Sequence, residues 1–164
     1  MRLYLEVARL AFRGQLAYRA ATLAGLFTNG VFGLVLSAVW VGLYRGGERG
    51  TVAGFTVAEA LTYVWVAQSL IMVVAMWGTW DIALAIQSGD VVADLMKPFD
   101  FFGYWLSRDL GRAGCMVLTR FLPTLGIGAL AFDLALPGAV GGLGRWAAFA
   151  ASVGLAVVVS FGIR

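Results

Sequence analysis

Residues 20–44 read AATLAGLFTNGVFGLVLSAVWVGLY, a run without a charged side chain. About 20 helical residues, rising about 1.5 Å each, cross a hydrocarbon core of about 30 Å. The run is continuous rather than alternating, which favours a helix over a barrel strand. It follows a charged segment, residues 1–19, and exceeds the length of a signal-peptide core. The run therefore predicts a retained membrane-spanning helix.

Three further apolar runs, residues 60–80, 113–132 and 146–163, have the same character, although Arg120 interrupts the second of these. Over its 164 residues the chain is 61% hydrophobic and 13% charged, whereas a soluble domain carries about 25% charge. We therefore predict an all-α integral membrane protein with four transmembrane helices. The last run ends beside Arg164 without a polar cap, which favours a chain truncated at its C-terminus.

Lysine and arginine are distributed unevenly between the remaining segments. Segment 1–19 contains four of them and segment 81–112 three, against two in 45–59 and one in 133–145. Positive charge marks the cytoplasmic side of a membrane. The N-terminus and the 81–112 loop are therefore expected in the cytoplasm, in a multi-pass protein of the plasma membrane.

Segment 1–19 has the pattern of an amphipathic helix. At about 100° per residue, one arc of roughly 60° contains Arg2, Glu6, Arg9 and Arg13. The apolar residues of the other side are Leu3, Val7, Leu10, Ala11 and Phe12. This pattern predicts an interfacial helix whose basic edge faces anionic headgroups. A solvated cytoplasmic helix is the alternative.

Small and weakly polar residues recur every fourth position in the first run, at Gly25, Asn29, Gly33 and Ser37. Such a stripe lets another helix approach closely and hydrogen-bond to it. We expect a helix-packing face rather than a substrate contact. Gln68 in the second run is likewise expected to form an interhelical hydrogen bond.

Arg120 is the least expected residue of the third run. A charge at the centre of a membrane helix costs roughly 2.5–3.5 kcal/mol on insertion scales. Its side chain either snorkels to the cytoplasmic interface or has a buried, paired role. Pro123 predicts a kink nearby.

The residue types exclude several kinds of chemistry. The chain has one cysteine and no histidine, so a zinc site or a histidine base is not expected. Its only lysine, Lys97, is not preceded by glycine, which excludes a phosphate-binding loop. An intramembrane enzyme would need a nucleophile–base pair, and the apolar runs contain none. We predict no catalytic residue, no metal and no nucleic-acid partner.

Segment 81–112 contains the most structured motif outside the runs. Ser88-Gly89-Asp90 predicts a turn in which Asp90 caps the next helix. That helix is expected over residues 91–96, and Pro98 ends it. Its apolar side contains Val91, Val92, Leu95 and Met96, and its polar side contains Asp90, Asp94 and Lys97. Such a helix either docks into a groove of another protein or rests on the membrane surface.

This loop resembles that of the type-2 ATP-binding-cassette (ABC) permeases of bacterial exporters, especially the short two-permease branch. The similarity lies in Ile86-Gln87-Ser88-Gly89-Asp90 followed by Asp94-Leu95-Met96-Lys97-Pro98. Family members have similar Ile-x-x-Gly and Leu-x-Lys-Pro elements in this loop. A weaker resemblance lies at Tyr18-Arg19 before the first run and at residues 53–60 before the second.

The resemblance implies the N-terminal part of a six-helix exporter permease with a cytoplasmic coupling helix. The residues that would contact a separate ABC ATPase subunit are Ile86, Gly89, Asp90, Val91, Val92, Asp94, Leu95, Met96, Lys97 and Pro98. ATP and Mg²⁺ would bind that ATPase, and this chain would need no cofactor. A second permease subunit would complete a homo- or heterodimer among membrane lipids in the bacterial inner membrane. The alternative is an accessory multi-span protein that stabilises another membrane complex.

Overall fold

The structure, a computed structural model, describes residues 2–46, 51–74, 80–138 and 142–163. Its helices are α1 (Arg2–Leu16), α2 (Arg19–Arg45), α3 (Val57–Val74), α4 (Asp81–Ser88), α5 (Val91–Leu95), α6 (Phe101–Met116), a π-helical turn (Val117–Phe121), α7 (Leu122–Ala131) and α8 (Gly142–Ile163). Within the described ranges the extended structure is one isolated β-bridge, between Val52 and Phe55.

Four helical segments in the described part of the chain are long and apolar enough to cross a membrane. They are α2, α3, the continuous segment Phe101–Ala131 and α8. This confirms the predicted all-helical class and the four apolar helices. The end of the predicted run 60–80 includes residues 75–79, which lie outside the described residues, as do Arg49 and Arg164.

The third of these segments begins at Phe101 rather than at the predicted Ala113, so the connecting loop shortens to residues 81–100. Asp100 starts the helix, since its carboxylate accepts a hydrogen bond from the Gly103 N–H. The prediction placed this stretch outside the helix because it contains three charged residues. In the structure those side chains find partners, which are described below.

The helix is irregular between α6 and α7. In the π-helical turn the Leu122 N–H donates to the carbonyl of Val117, five residues back. Pro123 lies in the first turn of α7 and has no N–H to donate. A π turn widens the helix and often marks a functional position. The predicted irregularity near Pro123 therefore lies in the preceding turn, which contains Arg120.

Helix α1 packs along α6, and the two run in the same direction. The Asp100 N–H donates to the Tyr4 hydroxyl at 3.3 Å, and Phe12 lies near Gly114. Between these points a Cβ at Gly111 would lie 2.1 Å from the carbonyl oxygen of Ala8, so only glycine permits this approach. On the predicted apolar side of α1, Leu3 and Leu10 are exposed.

Trp65 lies at the centre of the helical core and is fully buried. Its Nε1–H donates to the Ser37 hydroxyl on α2 at 3.0 Å. A Cβ at Gly33 would lie 2.9 Å from its ring, and one at Gly128 would lie 2.4 Å from it. The indole is thus held between α2 and α7, with Phe132 at a ring-centroid distance of 6.2 Å. These contacts fix the relative positions of α2, α3 and α7.

Candidate functional site

The loop between α3 and α6 turns sharply at Gly89. Its φ of 82° is left-handed, a conformation that glycine adopts without strain. The Gly89 N–H donates to the Ile86 carbonyl at 3.2 Å and closes α4. Helix α5 follows at once and ends at Leu95, one residue before the predicted end. Pro98 lies in the bend that leads to α6.

Asp90 does not cap α5 with its side chain, contrary to the prediction. Its backbone is already helical, with φ −63° and ψ −21°, whereas a capping residue has an extended backbone. Its carboxylate instead accepts a hydrogen bond from the Ser88 hydroxyl at 2.7 Å. The Ser88 hydroxyl therefore binds the carboxylate in place of the backbone N–H groups of α5. This hydrogen bond stabilises the turn between α4 and α5.

Four apolar side chains of this loop are solvent-exposed, and we call them the loop patch. They are Ile86, Val92, Leu95 and Met96, with exposed fractions from 59% to 82%. Val91, predicted on the same side, is half-buried. Apolar side chains at adjacent exposed positions typically mark a contact with a protein or a membrane.

An ion pair stabilises the polar side of α5. Lys97 Nζ lies 2.6 Å from Asp94 Oδ1. The hydrogen bond to Asp94 raises the pKa of Lys97 above its ordinary value, because it favours the charged ammonium. Asp94 and Lys97 are three residues apart, and their ion pair stabilises the C-terminal end of this short helix.

Helix α4 is tied to α6 by a second ion pair. Arg108 Nη2 lies 3.0 Å from Asp81 Oδ2. The same guanidinium lies 4.8 Å from the centre of the Trp105 ring, a cation–π distance. The N-terminal end of α4 is therefore attached to the third candidate span, Phe101–Ala131, by an ion pair.

Arg112 connects α6 to the C-terminal end of α3. Its Nε donates to Asp109 Oδ1 at 3.0 Å, and its Nη1 and Nη2 donate to the carbonyls of Met72 and Val73 at 3.0 and 3.3 Å. These two hydrogen bonds join the guanidinium to successive backbone carbonyls in the last turn of α3 as the structure describes it. From the sequence, Arg112 was expected only to contribute positive charge to its loop. Arg112 follows Asp109 by three residues, and this spacing was the sequence feature that could have predicted the ion pair.

Helix α8 supplies a third donor to the same helix end. The Ser160 hydroxyl donates to the Val74 carbonyl at 2.5 Å. Three successive carbonyls of α3 are thus held by two other helices. We call Asp109, Arg112 and Ser160 the α3 clamp.

The predicted small-residue stripe of α2 lies against α3 and Arg120. Asn29 Nδ2 donates to the backbone carbonyl of Gln68 at 3.3 Å. The interhelical bond at Gln68 therefore uses its main chain, where the prediction assigned its side chain. Gly33 and Ser37 contact Trp65 as described above, and Gly25 faces the Arg120 guanidinium.

Arg120 is buried, with an exposed fraction of 6%. Its Nη2 donates to the carbonyl of Ala21 at 2.8 Å, in the first turn of α2, and its Nε has no hydrogen-bond partner in the described part of the chain. A Cβ at Gly25 would overlap the guanidinium. The side chain thus reaches towards the N-terminal end of α2, but inside the helical bundle and onto a carbonyl rather than a carboxylate.

We expect Arg120→Lys to lower the free energy of unfolding by about 1–2 kcal/mol, because an ammonium does not reproduce the planar guanidinium against Gly25 and Ala21. Thermal unfolding of the purified protein in detergent measures the change. Arg19→Lys, at an exposed position, is the control and should be neutral. Equal melting of Arg120→Lys and the wild type would instead support a head group that snorkels freely to the interface.

The described residues contain no group of three or more histidine, cysteine, aspartate or glutamate side chains that is arranged to hold a metal ion. Comparisons of the chain with protein-family models, curated proteins and solved structures find no match.

Proposed function

We propose that this chain is the transmembrane permease subunit of an ATP-driven ABC exporter of the bacterial inner membrane. The observation that supports this most directly is the exposed loop patch within the motif that resembles the coupling loop of that family. In this proposal ATP and Mg²⁺ bind a separate ATPase subunit, and this chain performs no catalysis. A second permease subunit completes the pathway for an unidentified substrate.

The loop has the geometry expected of a rigid element, or lever, that transmits motion from an ATPase to the spanning helices. A lever transmits motion only when it is rigid and fits two states of its partner differently. The Gly89 turn and the Asp94–Lys97 pair stiffen α5, while the Asp81–Arg108 pair ties the loop to α6. A force on the loop patch would thus reach the third candidate span.

Site-specific photo-crosslinking tests the proposed contact. A photoreactive residue at Leu95, within the loop patch, should capture an ATPase that is encoded beside this chain. The same residue at Ala93, which is exposed on the other side of α5, should capture much less. Capture of a different integral membrane protein from Leu95, with no ATPase product, would contradict the proposal and support the accessory protein that stabilises another complex.

The proposal also places the N-terminus and the loop in the cytoplasm. We expect a cysteine at Ser88 to resist an impermeant thiol reagent in intact cells and one at Thr51 to react. Both positions are exposed, and Thr51 precedes α3 in the chain whereas Ser88 follows it. Replacing the buried Cys115 by alanine supplies a background without other thiols. Labelling at position 88 alone would reverse the orientation.

A further inference from the structure

A cavity of about 330 Å³ lies between the C-terminal end of α2, the start of α3 and the turn that precedes α3. Four aromatic side chains line it, together with one carboxylate: Trp40, Tyr44, Phe55, Tyr63 and Glu59. We call these five residues the aromatic cavity. Of its lining residues in the described ranges, Glu59 alone carries a charge. None of the five belongs to the loop patch, so the cavity is separate from the proposed ATPase contact.

The turn that carries Phe55 has an unusual backbone. Val52 and Phe55 exchange two N–H to carbonyl hydrogen bonds of 3.0 Å around Ala53 and Gly54. The φ angles of Ala53 and Gly54 are 53° and 85°. A left-handed φ at alanine costs energy, and such strain recurs at binding sites. The Tyr44 hydroxyl donates to the Phe55 carbonyl at 2.7 Å, which ties the turn to the end of α2.

Glu59 places a fixed negative charge beside the rings. Its Oε2 accepts hydrogen bonds from the N–H and the hydroxyl of Thr56, both at 2.8 Å. The Glu59 N–H donates back to the Thr56 hydroxyl at 3.3 Å, so the two residues form a capping box at the start of α3. No lysine or arginine in the described part of the chain forms an ion pair with Glu59. The carboxylate is therefore held in position without a counter-ion from these residues.

This combination of side chains favours one class of ligand. Cations are attracted to the faces of aromatic rings, and cages of such rings recognise quaternary ammonium groups. The Glu59 charge adds attraction for a cation and repels an anion. The Tyr44 hydroxyl and the Glu59 carboxylate already have hydrogen-bond partners. A quaternary nitrogen has no N–H to satisfy, so it loses no hydrogen bonds among these walls, whereas a primary ammonium would.

We propose that the aromatic cavity binds a quaternary ammonium group. Pockets for small molecules occupy about 300–1,000 Å³, so the cavity suits a small cation such as choline. Both α2 and α3 are candidate membrane spans, so this shared end lies where hydrocarbon gives way to headgroups. Tyrosine and tryptophan also anchor proteins at that level, but anchoring requires neither a cavity nor a carboxylate. The inference requires membrane insertion but not exporter function.

Saturation-transfer NMR of the full chain in maltoside micelles tests this proposal, with empty micelles as the baseline. The probes are choline and its neutral analogue, in which a carbon atom replaces the ammonium nitrogen. We expect choline to bind about tenfold more tightly than the analogue, the equivalent of about 1.4 kcal/mol. Glu59→Gln should weaken choline binding by a similar factor, because glutamine can keep the capping box but not the charge. Trp40→Leu should also weaken it, and Tyr63→Leu, at a position with an exposed fraction of 74%, should do so even if Trp40→Leu does not fold.

Two matched controls remove the same chemistry outside the cavity. Asp133→Asn removes an exposed carboxylate, and Trp80→Leu removes an exposed tryptophan. Both variants should bind choline like the wild type. Equal binding of choline and its neutral analogue, or equal binding of choline by Glu59→Gln and Asp133→Asn, would overturn the proposal.

A quaternary ammonium group at this level comes either from a lipid headgroup or from a dissolved cation. Nanodiscs of phosphatidylcholine and of phosphatidylethanolamine separate the two sources, because these headgroups differ in the methylation of their nitrogen. Weaker binding of free choline in phosphatidylcholine would identify the headgroup as the occupant. Equal binding of free choline in both lipids would identify a dissolved cation.

Discussion

Leu95→Asp is expected to reduce co-purification of the neighbouring ATPase by a factor of hundreds or more. The substitution puts a carboxylate on the loop patch, where the proposed contact would bury it without a partner. Such burial costs several kcal/mol, and about 1.4 kcal/mol corresponds to a tenfold change in affinity. Leu95 has an exposed fraction of 64% and lies outside the four candidate spans, so folding and membrane insertion should be unaffected.

Ala93→Asp provides a matched control for Leu95→Asp. It adds the same charge to the same short helix, at an exposed position on the opposite side. Pull-down of the ATPase at equal membrane levels of both variants measures the difference. Retention of the ATPase by Leu95→Asp at the level of Ala93→Asp would show that the loop patch is not the contact surface. An equal loss in both variants would point to a nonspecific effect of charge.

The helices were predictable because a continuous apolar run can adopt few other secondary structures in a membrane. Backbone groups in lipid must be satisfied within the segment, so length and composition alone indicate helices. The start of the third helix was not predictable by this criterion. Its charged residues look unsuitable for a span until Arg112 is seen to pair with Asp109 and with the end of α3. Long-range partners of this kind do not appear in a linear pattern.

The contacts of the small-residue stripe show the same limit. The fourfold spacing of the stripe indicated a face where another group approaches closely. It did not indicate that Trp65 would fill the space at Gly33, or that Arg120 would fill the space at Gly25. Backbone acceptors such as the Ala21 carbonyl carry no sequence signal, because every residue has one.

The expectation that the Asp90 side chain caps α5 was wrong for a local reason, since its carboxylate accepts a hydrogen bond from the Ser88 hydroxyl.

Arg112→Gln should lower the free energy of unfolding by about 3 kcal/mol or more, because it breaks the largest part of the α3 clamp. The side chains of Arg112 and Asp109 are only 12% and 9% exposed. Removing one member of a buried ion pair costs about 3–5 kcal/mol, since the other charge loses its compensation. Two carbonyls at the end of α3 lose their donors as well.

Unfolding of the purified protein in mixed micelles, followed by circular dichroism, measures this loss. Arg145→Gln, at an exposed position, should change stability by less than about 0.5 kcal/mol. Adding Asp109→Asn to Arg112→Gln should recover part of the loss, because the carboxylate charge is then removed together with its cation. The recovered part measures the cost of leaving the Asp109 charge without Arg112. The part that is not recovered includes the loss of the Arg112 hydrogen bonds to the carbonyls of α3, which the double variant also lacks. If Arg112→Gln is no more destabilising than Arg145→Gln, then α3 does not depend on the clamp.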